Sequence, residues 1–297
     1  MTATTGGAAA LFAARPWLGI AFVLAVATSF GFSVNFAKLA ILGGSNALSI
    51  NTMRVGGAAM MLYLLLRSTG VSLAMPPGRR ALALAAGLLH AAYGQTFLLS
   101  LDYLPVGIAV ITFYTYPLLA ALATWAIGRE RPRTRAALAL VMAFVGLALA
   151  LKVLEGGLSA VGIALAFAAA VGVTVMLLAM PLLASGVDSR AVTLHFLGSG
   201  AGCFLLASLV TGGFAVPETA DGRLAFLAAP FCYVFGIVGF YWAAIAIGAI
   251  RTALVMNFEP VSAMALGFVI LGERLDAGQV LGAAVVVAAI VLISRSR

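Results

Sequence analysis

Charge is what this chain has least of. Of its 297 residues only 9% are Asp, Glu, Lys or Arg, against roughly 25% in an ordinary soluble domain. That leaves too little polar surface to cover a soluble globule. A soluble enzyme, a nucleic-acid binder and a disordered chain are excluded together. Cysteine is nearly absent too. Cys203 and Cys232 both fall inside apolar stretches, where they read as small buried hydrophobes rather than a disulfide or metal pair. No phosphate-binding Gly loop, no G-x-S-x-G elbow and no His-Glu pair at metal spacing occurs. No cofactor or metal is expected.

What is present is hydrophobic mass. Apolar residues make up 64% of the chain and the mean hydropathy is +1.16. A membrane helix needs about 20 apolar residues, so about ten helices would use two thirds of the chain. The apolar stretches are continuous, whereas a transmembrane barrel alternates in segments of about ten residues. The expected fold is all-α and polytopic. Charged, Gly-rich and Pro-rich breaks place spans near 17–41, 47–67, 80–100, 105–127, 135–152, 159–180, 190–211, 223–243, 248–271 and 277–294. Residues 1–16 form a short tail without a signal-peptide cleavage pattern, so the first span is read as retained.

The chain repeats itself at an offset of 143. Gly19-Ile20-Ala21 falls on Gly162-Ile163-Ala164, Gly70 on Gly213, Pro117 on Pro260, and Glu130-Arg131 on Glu273-Arg274. The repeats are 17–152 and 153–297, with five spans in each. Five is odd, so tandem copies enter the membrane in opposite senses. Loop charges test this independently. Loop 66–80 carries Arg67, Arg79 and Arg80 (net +3), and its equivalent 209–223 carries Glu218, Asp221 and Arg223 (net −1). Loop 128–135 is net +3 and its equivalent 271–278 is net −1. Equivalent loops of opposite bias belong on opposite sides. With both termini inside, twelve basic residues face the cytoplasm (Arg15, Arg67, Arg79, Arg80, Arg129, Arg131, Arg133, Arg135, Arg190, Arg251, Arg295, Arg297) and three face out (Lys152, Arg223, Arg274). The net charge of +8 is therefore read as loop bias that sets orientation in a bacterial inner membrane, not as a nucleic-acid footprint.

Inverted repeats are a feature of secondary transporters, with substrate near the midplane between them. Glu259 is an ionisable group near the middle of its span and a functional candidate by that position. It could bind a substrate amine, couple protons, or form a structural pair with Arg54 or Lys38. Lys38 and Arg54, with Asn35, could receive a carboxylate; snorkelling is the simpler account of Lys38. Pro117 and Pro260 each remove a backbone donor. The residues before them, Tyr114-Thr115-Tyr116 and Asn257-Phe258-Glu259, are repeat equivalents with polar and aromatic groups at matching depth. His90, Tyr93, Gly94 and Phe97 share one helical face. Tyr233 is the repeat equivalent of His90, and Phe240, Tyr241 and Trp242 follow it. These aromatics read either as an aromatic-walled cavity or as ordinary helix packing. The candidate substrate-binding set is His90, Tyr93, Tyr114, Tyr116, Asn257, Glu259, Asn35, Lys38, Arg54 and Tyr233. His195 stands alone and reads as a satisfied bundle histidine. Gly278-x-x-x-Gly282 indicates close helix contact, within the bundle or between protomers of a homodimer.

The segment Glu259-Pro260-Val261 through Leu271-Gly272-Glu273-Arg274-Leu275, with Gln279 and Gly282, resembles the second EamA repeat of the drug/metabolite transporter superfamily. Tyr116-Pro117-Leu118-Leu119 and Arg129-Glu130-Arg131 resemble the first, with Arg129 where Gly is more usual. Lys38 and Arg54 also sit where that family often has Lys and Arg. The resemblance implies a ten-helix secondary transporter working by alternating access. It further implies export of small metabolites, with the aromatic and neutral amino-acid exporters as near relatives. Drugs, nucleosides or other carboxylates are alternative cargo. A polytopic enzyme acting on lipid is the reading from another class. The expected partners are a small-molecule substrate and membrane lipid.

Overall fold

The computed structural model describes residues 11–12, 14–100, 103–104, 106–128, 134–151, 159–272 and 274–294. The readings that fall on Arg129, Glu130, Arg131, Arg133, Lys152, Glu273, Arg295, Arg297 and the first ten residues lie outside that set. All regular structure among the described residues is helical. The helices are α1 (Pro16–Leu42), α2 (Ala47–Ser68), α3 (Pro77–Ser100), α4 (Val106–Phe113), α5 (Tyr116–Ala126), α6 (Thr134–Ala150), α7 (Ala160–Leu183), α8 (Ser189–Thr211), α9 (Ala220–Ala246), α10 (Ala249–Met256), α11 (Phe258–Leu271) and α12 (Ala277–Ser294). Taken as one span each, α4–α5 and α10–α11 join five other helices long and apolar enough to cross a membrane. The shorter apolar helices α6 and α12, and α3 with its Arg79, Arg80, His90 and Gln95, complete ten crossings.

Local chemistry sets the ends. Asn46, Ser159, Asp188 and Thr219 cap α2, α7, α8 and α9, each side chain accepting a hydrogen bond from a backbone N–H of the first turn. Gly212 (φ 62°) and Gly272 (φ 68°) end α8 and α11 in the left-handed conformation open to glycine. Several boundaries differ from the sequence expectation by up to three residues, α9 at both its ends. α3 begins at Pro77 rather than residue 80, because proline is well placed in a first turn. α7 runs on to Leu183 through Pro181, as α9 runs through Pro230. Pro117 and Pro260 do accompany breaks, at Tyr114-Thr115 and at Asn257.

The packing repeats itself as well. α1–α6 and α7–α12 are equivalent sets. α1 packs along α9, and its image α7 packs along α3; α2 packs on α9, and its image α8 on α3; α1 packs on α11, and its image α7 on α5. The pairs α2–α8 and α6–α12 map onto themselves. This is the contact pattern of two five-span repeats related by a pseudo-two-fold axis. The symmetry is not exact: α7 also packs on α9 with no such contact between their images α1 and α3. α5 packs against α10 at the end that carries the start of α1, while the image pair, α4 and α11, makes no comparable contact. Among the described residues the α5–α10 end is the more closely packed of the two.

Glycine makes the closest crossings. A Cβ on Gly282 would lie 2.4 Å from the Ala150 nitrogen and 2.5 Å from the Gly146 oxygen. Gly282 of the Gly278-x-x-x-Gly282 pair is therefore used within the bundle, against α6, while Gly278 is exposed. A Cβ on Gly87 would lie 2.1 Å from the Phe196 oxygen, at the α3–α8 crossing. Backbone cannot yield as a side-chain tip can. Gly282→Leu and Gly87→Leu should each destabilise the protein by about 3 kcal/mol or more. Gly202→Ala, which meets nothing within 4 Å, should not. Thermal unfolding in detergent, followed by the loss of the monodisperse chromatographic peak, measures this.

Candidate functional site

A side chain from the middle of α3 reaches one from the middle of α9. His90 is buried, and both of its ring nitrogens are engaged. Nδ1 lies 2.6 Å from the Tyr93 hydroxyl and Nε2 lies 2.8 Å from the Tyr233 hydroxyl. A neutral imidazole has one donor and one acceptor, so one tyrosine donates to the ring and the other accepts from it. His90 and Tyr233 are separated by the repeat offset of 143. A contact between a position and its own equivalent lies on the symmetry axis, and it maps onto itself when the repeats exchange roles. Phe196 closes over the histidine edge-on, with centroids 5.0 Å apart, and Tyr241 stacks edge-on against Phe196. The Tyr241 hydroxyl is buried near Tyr93 without the geometry of a hydrogen bond.

Arg54 lies about two turns into α2. Its guanidinium sits over the Tyr233 ring, 4.6 Å from the centroid, and Nη2 donates to Asn51 Oδ1 at 2.8 Å. Its Nε is buried with no hydrogen-bond acceptor. The cation is thus held by a ring face and one amide, with a donor to spare. Glu259 stands in the first turn of α11, beside the break, with its carboxylate toward the Tyr114 hydroxyl and within electrostatic reach of Tyr116 and Arg54. Arg54 and Glu259 are not joined: the ion pair between described residues is Arg190–Asp188, away from this layer.

The two helix breaks supply the rest. Tyr114 and Tyr116, 6% and 3% exposed, flank the α4–α5 break with ring centroids 5.7 Å apart, and Phe113 packs on both. Pro117 and Pro260 each leave the carbonyl four residues earlier without its helical donor. At the α10–α11 break the buried Asn257 turns its amide back to the Leu254 carbonyl, 2.9 Å away. His90, Tyr93, Tyr114, Tyr116, Tyr233, Arg54 and Glu259 therefore form one mid-bundle layer, contributed by both repeats.

The remaining candidates stand apart from it. Asn35 donates to Gly31 and across to the Ala263 carbonyl, both at 2.9 Å, clamping α1 to α11. Lys38 is exposed, toward the end of α1. His195 bonds to the Ala191 carbonyl one turn back, at 2.8 Å, as a satisfied bundle histidine does. Asn51 was missed by sequence reasoning. Its signal is the i, i+3 spacing to Arg54 on one helix face. Phe113 and Phe196 carried no signal beyond being apolar.

The model of the EamA-like transporter family matches residues 17–152 and again residues 160–295. The chain belongs to that family, whose members are membrane transporters of small molecules. A protein of known crystal structure shares the fold, with a TM-score of 0.74 and 21% identity over 93% of this chain and 99% of that one. At that identity the likeness concerns the fold alone. No curated protein sequence matches the chain.

Tyr233→Phe tests the axial hydrogen bond. It keeps the ring under Arg54 and removes the hydroxyl, leaving His90 Nε2 without its partner. It should lower stability by about 1–3 kcal/mol. Tyr233→Phe combined with His90→Phe and Tyr93→Phe, which removes all three polar partners, should recover part of that loss. A thermal-unfolding mutant cycle in detergent measures it.

Proposed function

We propose that this protein is a secondary transporter exporting small amphipathic metabolites by alternating access, with neutral and aromatic amino acids as its substrates. One observation carries the reading. A guanidinium and a carboxylate, one from each repeat, share an aromatic-walled layer without pairing with each other. A zwitterion complements both, its carboxylate on Arg54 and its ammonium on Glu259. The rings of Tyr114, Tyr116 and Tyr233 offer apolar surface to a large neutral side chain. The unpaired Arg54 Nε supports the carboxylate half of this pose.

Membrane direction comes from loop charge. With both termini in the cytoplasm, as the excess of basic residues there favours, the more closely packed α5–α10 end is cytoplasmic and the α4–α11 end faces out. The protein then rests open to the outside of a bacterial inner membrane. Exchanging the conformations of the two repeats would close α4 on α11, part α5 from α10, and leave the His90–Tyr233 contact on the axis. No catalytic constellation accompanies the layer, and we infer transport without chemistry. Turnover of lipid by the purified protein in detergent would reverse that ranking in favour of a membrane enzyme.

Flux in proteoliposomes tests the proposal. Purified protein is offered labelled Trp, Phe, Met, Leu, Thr and Glu, with empty liposomes as control. Saturable, competable entry of the neutral amino acids is expected, with Glu poorly carried because its second carboxylate has no cation. Arg54→Gln should raise the half-saturating concentration roughly 10- to 100-fold, the worth of a charge-assisted hydrogen bond. Glu259→Gln should act similarly. Entry of none of the six by folded protein overturns the amino-acid assignment. Full pH-dependent flux in Glu259→Gln removes Glu259 from proton coupling.

A further inference from the structure

A second feature of the bundle lies far from the midplane layer, on its outer face at the α5–α10 end. A groove of about 390 Å³ runs between the start of α3 and the end of α7, lined by Arg79, Leu82, Leu182, Leu183 and Ser185. Two of its walls are leucines turned outward, Leu82 at 58% and Leu182 at 55% exposure. In a membrane-spanning bundle, side chains so exposed face acyl chains. Arg79 forms the polar end. Its Nη1 donates to the Leu182 carbonyl at 2.7 Å and to the Leu183 carbonyl at 3.1 Å, satisfying the last turn of α7. Those two bonds fix the guanidinium in place and leave its other N–H donors uncommitted by them. Arg80 follows on the same turn and is exposed.

The charge around the groove is one-sided. α3 contains no Asp or Glu. Arg67 ends α2 at the same end of the bundle. The acidic residue closest in sequence to Ser185 is Asp188, and it is committed: Arg190 holds its carboxylate at 2.6 Å, which keeps that carboxyl below its ordinary pKa range. An apolar trough open to lipid, ending at a pre-positioned guanidinium in a positive field, matches a ligand with one anionic head and a hydrocarbon tail.

We propose that this groove is a binding site for an anionic phospholipid, its phosphate on Arg79 and Arg80 beside the Ser185 hydroxyl, and its first methylenes along Leu82 and Leu182. Occupancy would tie α3 to α7, one helix from each repeat, and brace the α5–α10 end.

Native mass spectrometry of the full chain tests the site, using phosphatidylglycerol and phosphatidylcholine of matched acyl chains. Phosphatidylglycerol should be retained in preference to phosphatidylcholine. Arg80→Gln, which leaves the α7 carbonyl bonds untouched, should weaken that retention roughly fivefold, the worth of one arginine at an anionic headgroup. Arg79→Lys keeps the charge but loses the fixed fork and should also weaken it. Arg67→Gln, with the same change of net charge outside the groove, should leave it unchanged. Equal retention of the two lipids overturns the proposal. So does an equal loss in Arg67→Gln, which would make the preference a diffuse charge effect. Displacement by millimolar inorganic phosphate would show a free-anion site and overturn the lipid assignment.

Discussion

Hydrocarbon offers no hydrogen-bond partner, and the arrangement of this protein follows from that constraint. Every backbone amide that crosses the bilayer must be satisfied inside its own helix, and every polar side chain must find its partner within the bundle. Several threonines obey it locally, while the buried Ser33 hydroxyl has no partner. Thr28, Thr52, Thr112, Thr124 and Thr252 each donate to a carbonyl of the preceding turn. Arg54, His90 and Glu259 meet in one layer where the repeats face each other. Few charges lie inside the spans, and the meeting of Arg54 and Glu259 in that layer is the main chemical fact about it.

The second constraint is arithmetic. An odd number of crossings per repeat inverts the second copy, and an inverted copy generates an axis in the membrane plane. His90 and Tyr233 lie on that axis, bonded to each other. The residues around them are not symmetric. Arg54 over Tyr233 has Leu197 at its equivalent position, and Glu259 has Tyr116. The backbone is close to two-fold while the chemistry is directional, so a bound zwitterion would have one orientation. The near-symmetry gives most contacts an image at the equivalent position of the other repeat.

Much of this was legible in the sequence. Ten spans, the two repeats and their inversion follow from apolar run length, the 143-residue offset and the opposed loop charges. The breaks at Pro117 and Pro260 were legible because each proline recurs at the same register. Pro181 and Pro230 show the limit of that signal, since a helix continues through both. The aromatic layer was legible where polarity marked it, at His90, Tyr93, Tyr114 and Tyr116. It was invisible at Phe113 and Phe196, because phenylalanine in an apolar helix gives no sign of which way it faces. Asn35 shows the converse. Its polarity marked it as a candidate, and its amide N–H groups bridge two helices. The Arg79 groove was hidden because loop arginines read only as orientation signals until a fold shows which carbonyls they reach.

The most direct test of the account is whether the midplane layer is reached in turn from both sides of the membrane. A single cysteine at Tyr116, with Cys203 and Cys232 replaced by alanine, can be probed with an impermeant thiol reagent in right-side-out and inside-out vesicles. The account predicts modification from both sides, faster from the outside because the α4–α11 end is the less closely packed one, and protection by substrate from either. Modification from one side alone under every condition, or from neither in folded protein, would contradict alternating access to this layer.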